Sequence, residues 1–230
     1  MADHTSRAYE TELRNLKDRL LAMGGRCEQL IMMATRALGE LDADLAKKVE
    51  QTDRAINVEE VAIDEATVRI LALRQPVGRD LRFLVLALKV VTDLERIGDE
   101  AVNMAERAVE LAKAPPILPL QPQLQELADA SAQMVRQALD SFVTEDEKLA
   151  RAVLAADDHV DALYGKLLRA SMAMVEQNPS RVQDGFRFAF CAKYLERVAD
   201  HATNIAEQVV FMVSGDDVRH LGSRDGSPKR

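Results

Sequence analysis

"DLERIGDEAVNMAE" occupies residues 93–106, and "YLERVADHATNIAE", 101 positions further on, occupies residues 194–207. Eight of the fourteen positions are identical, among them Glu95/Glu196, Asp99/Asp200, Asn103/Asn204 and Glu106/Glu207. Two copies of Glu-x-x-x-Asp-x-x-x-Asn in otherwise apolar segments mark an internal repeat, and the repeat decides the fold. Around the first copy, Leu84, Leu88 and Val91, then Val102, Ala105 and Val109, recur at intervals of three and four. That is the period of a helix with one apolar face.

The same period covers about 9–41, 44–74 and 80–112, each helix roughly 45 Å long at ~1.5 Å per residue. Asp42 or Asp44 is placed to cap the second, Pro76 and Gly78 to stop it, and Asp80 to cap the third. In "KAPPILPLQP" (113–122) four of ten residues are proline, a composition no helix survives. The pattern restarts over about 123–142, 145–177 and 180–213. "DLAKKVEQTDRAIN" (44–57) matches "KLARAVLAADDHVD" (148–161) at an offset of 104, against 101 for the acidic motif; the difference is assigned to a shorter second hairpin loop. The expected fold is all-α, two tandem three-helix bundles of six long helices. Residues 1–113 and 123–215 form the repeats, 114–122 the linker, and 216–230 a mobile tail after Gly215.

Composition narrows the function. Ala, Leu, Glu, Arg and Val dominate and aromatics are only 4%, which suits helices better than strands. A net charge of -8 opposes attraction to nucleic acid, so no nucleic-acid partner is expected. Cys27 and Cys191 form no Cys-x-x-Cys pair and imply neither disulfide framework nor zinc finger. "MADHTSRAYE" lacks the features of a signal peptide, and Lys89 interrupts "FLVLALKVV" far short of a membrane span, so a cytoplasmic location is expected. Nucleophile elbows, P-loops and dinucleotide turns are absent; Gly24-Gly25 lies inside a helical pattern and reads as a kink or close helix contact. The chain is expected not to be an enzyme.

Residues four apart share a helix face, so Glu95, Asp99 and Asn103 form one oxygen-bearing row and Glu196, Asp200 and Asn204 its copy. Glu95 interrupts the apolar stripe, and the small residues Gly98, Ala101, Ala199 and Ala202 leave room beside the rows. The second helix of each unit adds its own row: Asp53, Asn57, Glu60 and Asp64, then Asp157 and Asp161. Facing carboxylates repel unless a cation lies between them. Arg96 and Arg197 directly follow the glutamates and point about 100° away, which leaves the rows open to iron, zinc, manganese or magnesium, ions suited to oxygen donors. The alternative is helix pairing without metal. Ferritin-like di-iron chemistry would need Glu-x-x-His, which is absent, and His159 and His201 read as surface residues. With no His or Lys on either row, a metal-dependent phosphate-ester hydrolase lacks its general acid or base, and a non-catalytic role is favoured over it.

The sequence resembles the PhoU family of phosphate-uptake regulators over nearly its whole length. "LLAMGGRCEQ" (20–29), "VAIDEATVRILALRQPVGRDLR" (61–82), both "LER" motifs and "DVRHLG" (217–222) carry the resemblance. It implies two similar three-helix bundles and multinuclear iron or zinc clusters at Glu95 and Asp99 and at Glu196 and Asp200. Asp53, Asn57, Asp157 and Asp161 match the acidic helices opposite. It also implies a negative regulator of the phosphate-starvation response, connecting the ATPase subunit of a phosphate ABC transporter with a sensor histidine kinase and meeting membrane complexes only peripherally. Long amphipathic helices suit a homodimer. Leu163 and Tyr164 leave the second site fewer acids than Glu59, Glu60 and Asp64 give the first, so the two should differ in occupancy. "RQPVGRDLR", with Arg74, Arg79 and Arg82 about Asp80, is a candidate partner surface or simply a capped, salt-bridged turn.

Overall fold

The computed structural model describes residues 2–112 and 121–215. They form α1 (Ala2–Glu40), α2 (Ala43–Arg74), α3 (Gly78–Leu111), α4 (Gln121–Thr144), α5 (Glu147–Gln177) and α6 (Val182–Ser214), with a 3-10 turn at Pro179–Arg181. Most of the expected linker, the expected tail and its "DVRHLG" stretch lie outside the described residues. The end of the linker does not: α4 starts at Gln121 and includes Pro122. A proline in a first helical turn has no N–H to lose from the ladder, so it starts the helix instead of excluding it.

The first hairpin of each unit is repeated bond for bond at an offset of 104. The Asp42 carboxylate accepts from the N–H groups of Asp44 and Leu45, and the Asp146 carboxylate from those of Lys148 and Leu149. Before each cap stands a non-glycine residue in the left-handed region, Leu41 at φ 53° and Glu145 at φ 57°. The cap N–H groups then reach back to the carbonyls of Ala37 and Ser141, both at 2.9 Å.

The second hairpins differ, and two expectations are corrected there. Asp80 is not a cap. Gly78 opens α3 at φ 59°, which starts the helix two residues earlier; Val77 is the N-cap, and Asp80 in the first turn accepts from the Tyr9 hydroxyl at 2.8 Å. Nor is the second connection shorter. Three residues join α2 to α3, while Asn178 and the 3-10 turn join α5 to α6. The missing residues are taken from helix ends: α6 starts at Val182, whereas the counterpart of Gly78 is Pro179, a residue that cannot continue a helix from before it.

Each unit packs its three helices on one another, and the units join through α1 against α4 and α3 against α6; among the described residues α2 and α5 touch only their own unit. One continuous apolar core results, from Leu20, Leu30, Leu84 and Ile97 through Leu124, Phe142, Leu195 and Val209. Gly24 allows the α1–α4 approach, since a Cβ there would lie 2.2 Å from a Leu139 methyl carbon. At one end Phe83 stacks on Phe142 with centroids 5.0 Å apart, and Lys17 donates to the Val143 carbonyl at 3.1 Å. Burial pushes both cysteine thiols far up, and the Cys27 Sγ donates to the Leu94 carbonyl at 3.2 Å. Among the described residues no helix is long and apolar enough to cross a membrane.

Candidate functional site: two acidic faces

α2 and α3 lie side by side, and the contact brings Asp53 and Glu60 of one near Glu95 and Asp99 of the other, with Asp64 beside Glu60. Asp53 is buried: its Oδ2 accepts from the Asn57 amide at 3.1 Å, while its Oδ1 has no hydrogen-bond partner among the described residues. Gly98 creates the space. A Cβ at that position would stand 2.7 Å from Asp53 Oδ1, so the smallest residue on α3 is what lets a carboxylate enter the helix contact. Asp64 Oδ1 is likewise enclosed and unpartnered.

Crowding shows in the proton affinities. Burial first, and then the Asp99 charge, hold Asp53 above the usual carboxylate range. Glu95 is raised by burial, then by Asp99; Glu60 by burial, then by Asp64. Arg96 is not as remote as its sequence position suggested. Its long stem curls back so that Nε lies 3.4 Å from Glu95 and Nη1 3.7 Å from Asp99. More than half of the arginine side chain is exposed, so the neutralisation it offers is weak.

The second face is assembled in the same way from α5 and α6. Asp157 and Asp161 approach Asp200, which also neighbours Glu196, and the Thr203 hydroxyl donates to Asp157 at 3.4 Å. Asp200 responds most strongly: burial first, then Glu196 and Asp157, push it to about 6. A side chain missed by the row pattern enters here. Lys193 bonds to the Glu196 carboxylate and sits 5.7 Å from the centroid of the Tyr164 ring. Its signal in the sequence was the i to i+3 spacing from Glu196.

Not every expected residue joins these faces. Glu59 turns toward α1, where Arg19 binds it at 2.6 Å and Arg26 at 3.8 Å. Asn103 donates to Glu100 at 3.4 Å, and Asn204 donates to Asp93 of the other unit, also at 3.4 Å. Each four-residue step on a 3.6-residue helix advances about 40°, so by the third member the row has rotated off the face. His201, expected at the surface, is half-buried against Asp93, with Nδ1 3.0 Å from its carboxylate; His159 is exposed as expected. Arg197 crosses to the buried Glu100 at 2.9 Å. At the second hairpin of the first unit Arg74 grips Glu12 with two bonds of 2.8 Å and Arg79 pairs with Glu145, while Arg82 is exposed.

As the side chains stand, no group of three Asp, Glu, His or Cys among the described residues converges on one point as a metal-ligand set. Both faces nonetheless offer oxygen donors, and the first has a buried carboxylate oxygen with no partner beside a glycine. That donor chemistry fits a hard or borderline cation.

Two stretches, residues 20–108 and 124–209, match the PhoU domain family model, one per three-helix unit. The chain belongs to the PhoU family. A PhoU homologue from Pseudomonas putida, called a phosphate-specific transport system accessory protein, is 39% identical over 222 residues, covering 96% of this chain and 87% of its own. Among solved structures, PhoU from Pseudomonas aeruginosa superposes with a TM-score of 0.85 at 38% identity, covering 90% of this chain and all of that one. A PhoU from Streptococcus pneumoniae, described as a phosphate transport system regulatory protein, gives 0.82 at 26% identity, covering 91% and 99%. These PhoU likenesses span both units, so the two-bundle architecture is shared along with the repeated domain.

Proposed function

We propose that this chain is a non-catalytic regulator of a phosphate transport system, a cytoplasmic adapter between the ATPase subunit of a phosphate ABC transporter and a sensor histidine kinase that restrains the phosphate-starvation response. Membership of the PhoU family along nearly the whole chain supports the transport-linked role. The outer surface supports docking. Val68, Leu81 and Val85 at the tip of the first unit are exposed, as are Met172, Val182 and Phe186 at the equivalent tip of the second.

In this reading both acidic faces hold metal ions, iron, zinc, manganese or magnesium. The observation that carries it is Asp53, a buried carboxylate with an unpartnered oxygen accommodated by Gly98. A buried charge without a partner is costly enough that it is ordinarily paired or metal-bound. Asp53, Glu95 and Asp99 would hold the ions of the first face, with Glu60 and Asp64 beside them; Asp157, Asp161, Glu196 and Asp200 would hold those of the second. Bound metal supplies positive charge between two mutually repelling helices. The residues themselves fix the spacing of α2 from α3 and of α5 from α6, and thereby the shape of the surface offered to partners.

Elemental mass spectrometry of untagged protein, purified without chelator, tests the metal component. Metal should be present and partly lost in Glu95→Gln/Asp99→Asn and in Glu196→Gln/Asp200→Asn; none in the folded parent returns both motifs to helix pairing. Co-purification from membranes solubilised with the transporter intact tests the adapter. Retention of neither the ATPase subunit nor the kinase overturns it.

A further inference from the structure

The two acidic faces are not equivalent, and two of the repeat positions that differ place a cation on the second. The counterpart of Glu60, 104 positions on, is Tyr164; the counterpart of Thr92, 101 positions on, is Lys193. In the first unit the Thr92 hydroxyl is spent on the Leu88 carbonyl at 3.1 Å and contributes no charge. In the second, the Lys193 ammonium is held from two sides, by the Glu196 carboxylate and by the face of the Tyr164 ring. Charge-assisted hydrogen bonding and the ring quadrupole both favour a cation at that point. Among the described residues the first face has the more exposed Arg96, which stands 3.4 Å and 3.7 Å from its acids. It also has more carboxylates, and its Asp53 oxygen lacks any partner. In place of that close approach, the second unit has Ala199 where Gly98 stands.

We propose that Lys193, seated on Tyr164, is a built-in counter-cation of the C-terminal face that competes with metal there, leaving the N-terminal face as the tighter metal site. An ammonium bonded to Glu196 occupies a ligand the incoming ion needs and repels a divalent charge at close range. Tyr164 contributes by replacing a carboxylate and by steadying the ammonium. The assignment rests on the metal-holding reading above and adds an order of affinity to it.

The test is calorimetric titration of zinc ions into chelator-stripped full-length protein at neutral pH. Glu95→Gln/Asp99→Asn should remove the tighter class of binding, and Glu196→Gln/Asp200→Asn the weaker. Lys193→Met keeps the apolar stem over the ring and discards the charge; it should tighten the weaker class by roughly tenfold, as expected for removing one nearby positive charge at a partly solvated site, and leave the tighter class unchanged. A second readout needs no metal. In stripped protein, Lys193→Met should lower the melting temperature in the parent background but not with Glu196→Gln/Asp200→Asn, where the acids it neutralises are gone. Two classes of equal affinity, a weaker class lost with Glu95 and Asp99, or a weaker class indifferent to Lys193→Met overturns the counter-cation alone. Absence of zinc binding in the folded parent protein overturns the metal-holding reading and this assignment with it.

Discussion

Asp200 binds its proton more tightly in the folded chain than an ordinary aspartate does, because burial, then Glu196 and Asp157, push it from 3.8 to about 6. Between those values the folded state keeps a proton that the unfolded state has released. The stability this group contributes is therefore full below about pH 4 and is lost as pH rises through about 6. Asp200→Asn should raise the melting temperature of chelator-stripped protein near pH 7.5, with the advantage fading as the pH falls toward 4. Because the carboxylate reaches solvent, the gain is held to about 1 kcal/mol; a loss of stability at neutral pH would contradict the crowding of the second face. Gly98 gives the complementary case. Gly98→Ala places a methyl group 2.7 Å from Asp53 Oδ1, which should cost roughly 1–3 kcal/mol as overpacking does. Chemical denaturation and metal analysis together check it: the first face should lose metal while the second keeps its own.

Between residues and the whole stand the helix starts. Asp42→Ala and Asp146→Ala each remove a side-chain cap that accepts two backbone N–H groups, and each should cost about 1 kcal/mol in urea denaturation. The costs should be alike because the two hairpins share bonds and left-handed residues position for position; a cap of no consequence in one unit would break that equivalence. This level was also the most legible beforehand. Apolar periodicity placed all six helices, and Asp42 was one of two named candidates for its cap. Local chemistry acts over three or four residues, and sequence displays it directly. What escaped was set by reach and by rotation. Arg96 returned to its own row because a long side chain can bend back past one helical step, whereas Arg197, its repeat counterpart, crossed to Glu100 because the other unit supplied a buried acid. Asn204 left its row because a four-residue step overshoots a whole turn by about 40°, and Glu59 was claimed by arginines of α1, a helix forty residues upstream. None of these choices is written in spacing alone.

At the scale of the molecule, the seam between the units is held by an apolar core crossed by a few charges. Glu100 is almost fully enclosed and paired with Arg197 of the other unit. Arg197→Ala leaves that carboxylate without its ionic partner and should cost about 2 kcal/mol, below the range for fully buried pairs because the arginine is half exposed. Calorimetry should show a lower midpoint and still one transition, since α1–α4 and α3–α6 share one core; two separated transitions would mean that the units fold independently. The same seam also has the form of a dimer contact. The first helix of one unit meets the first of the other, and the third meets the third, which is the arrangement of an isologous dimer. A single three-helix chain would thus present a surface complementary to itself, and joining two genes end to end would preserve that dimer in one polypeptide. Fusion also releases each half from mirroring its twin, and that freedom is what a Tyr164 opposite a Glu60 requires.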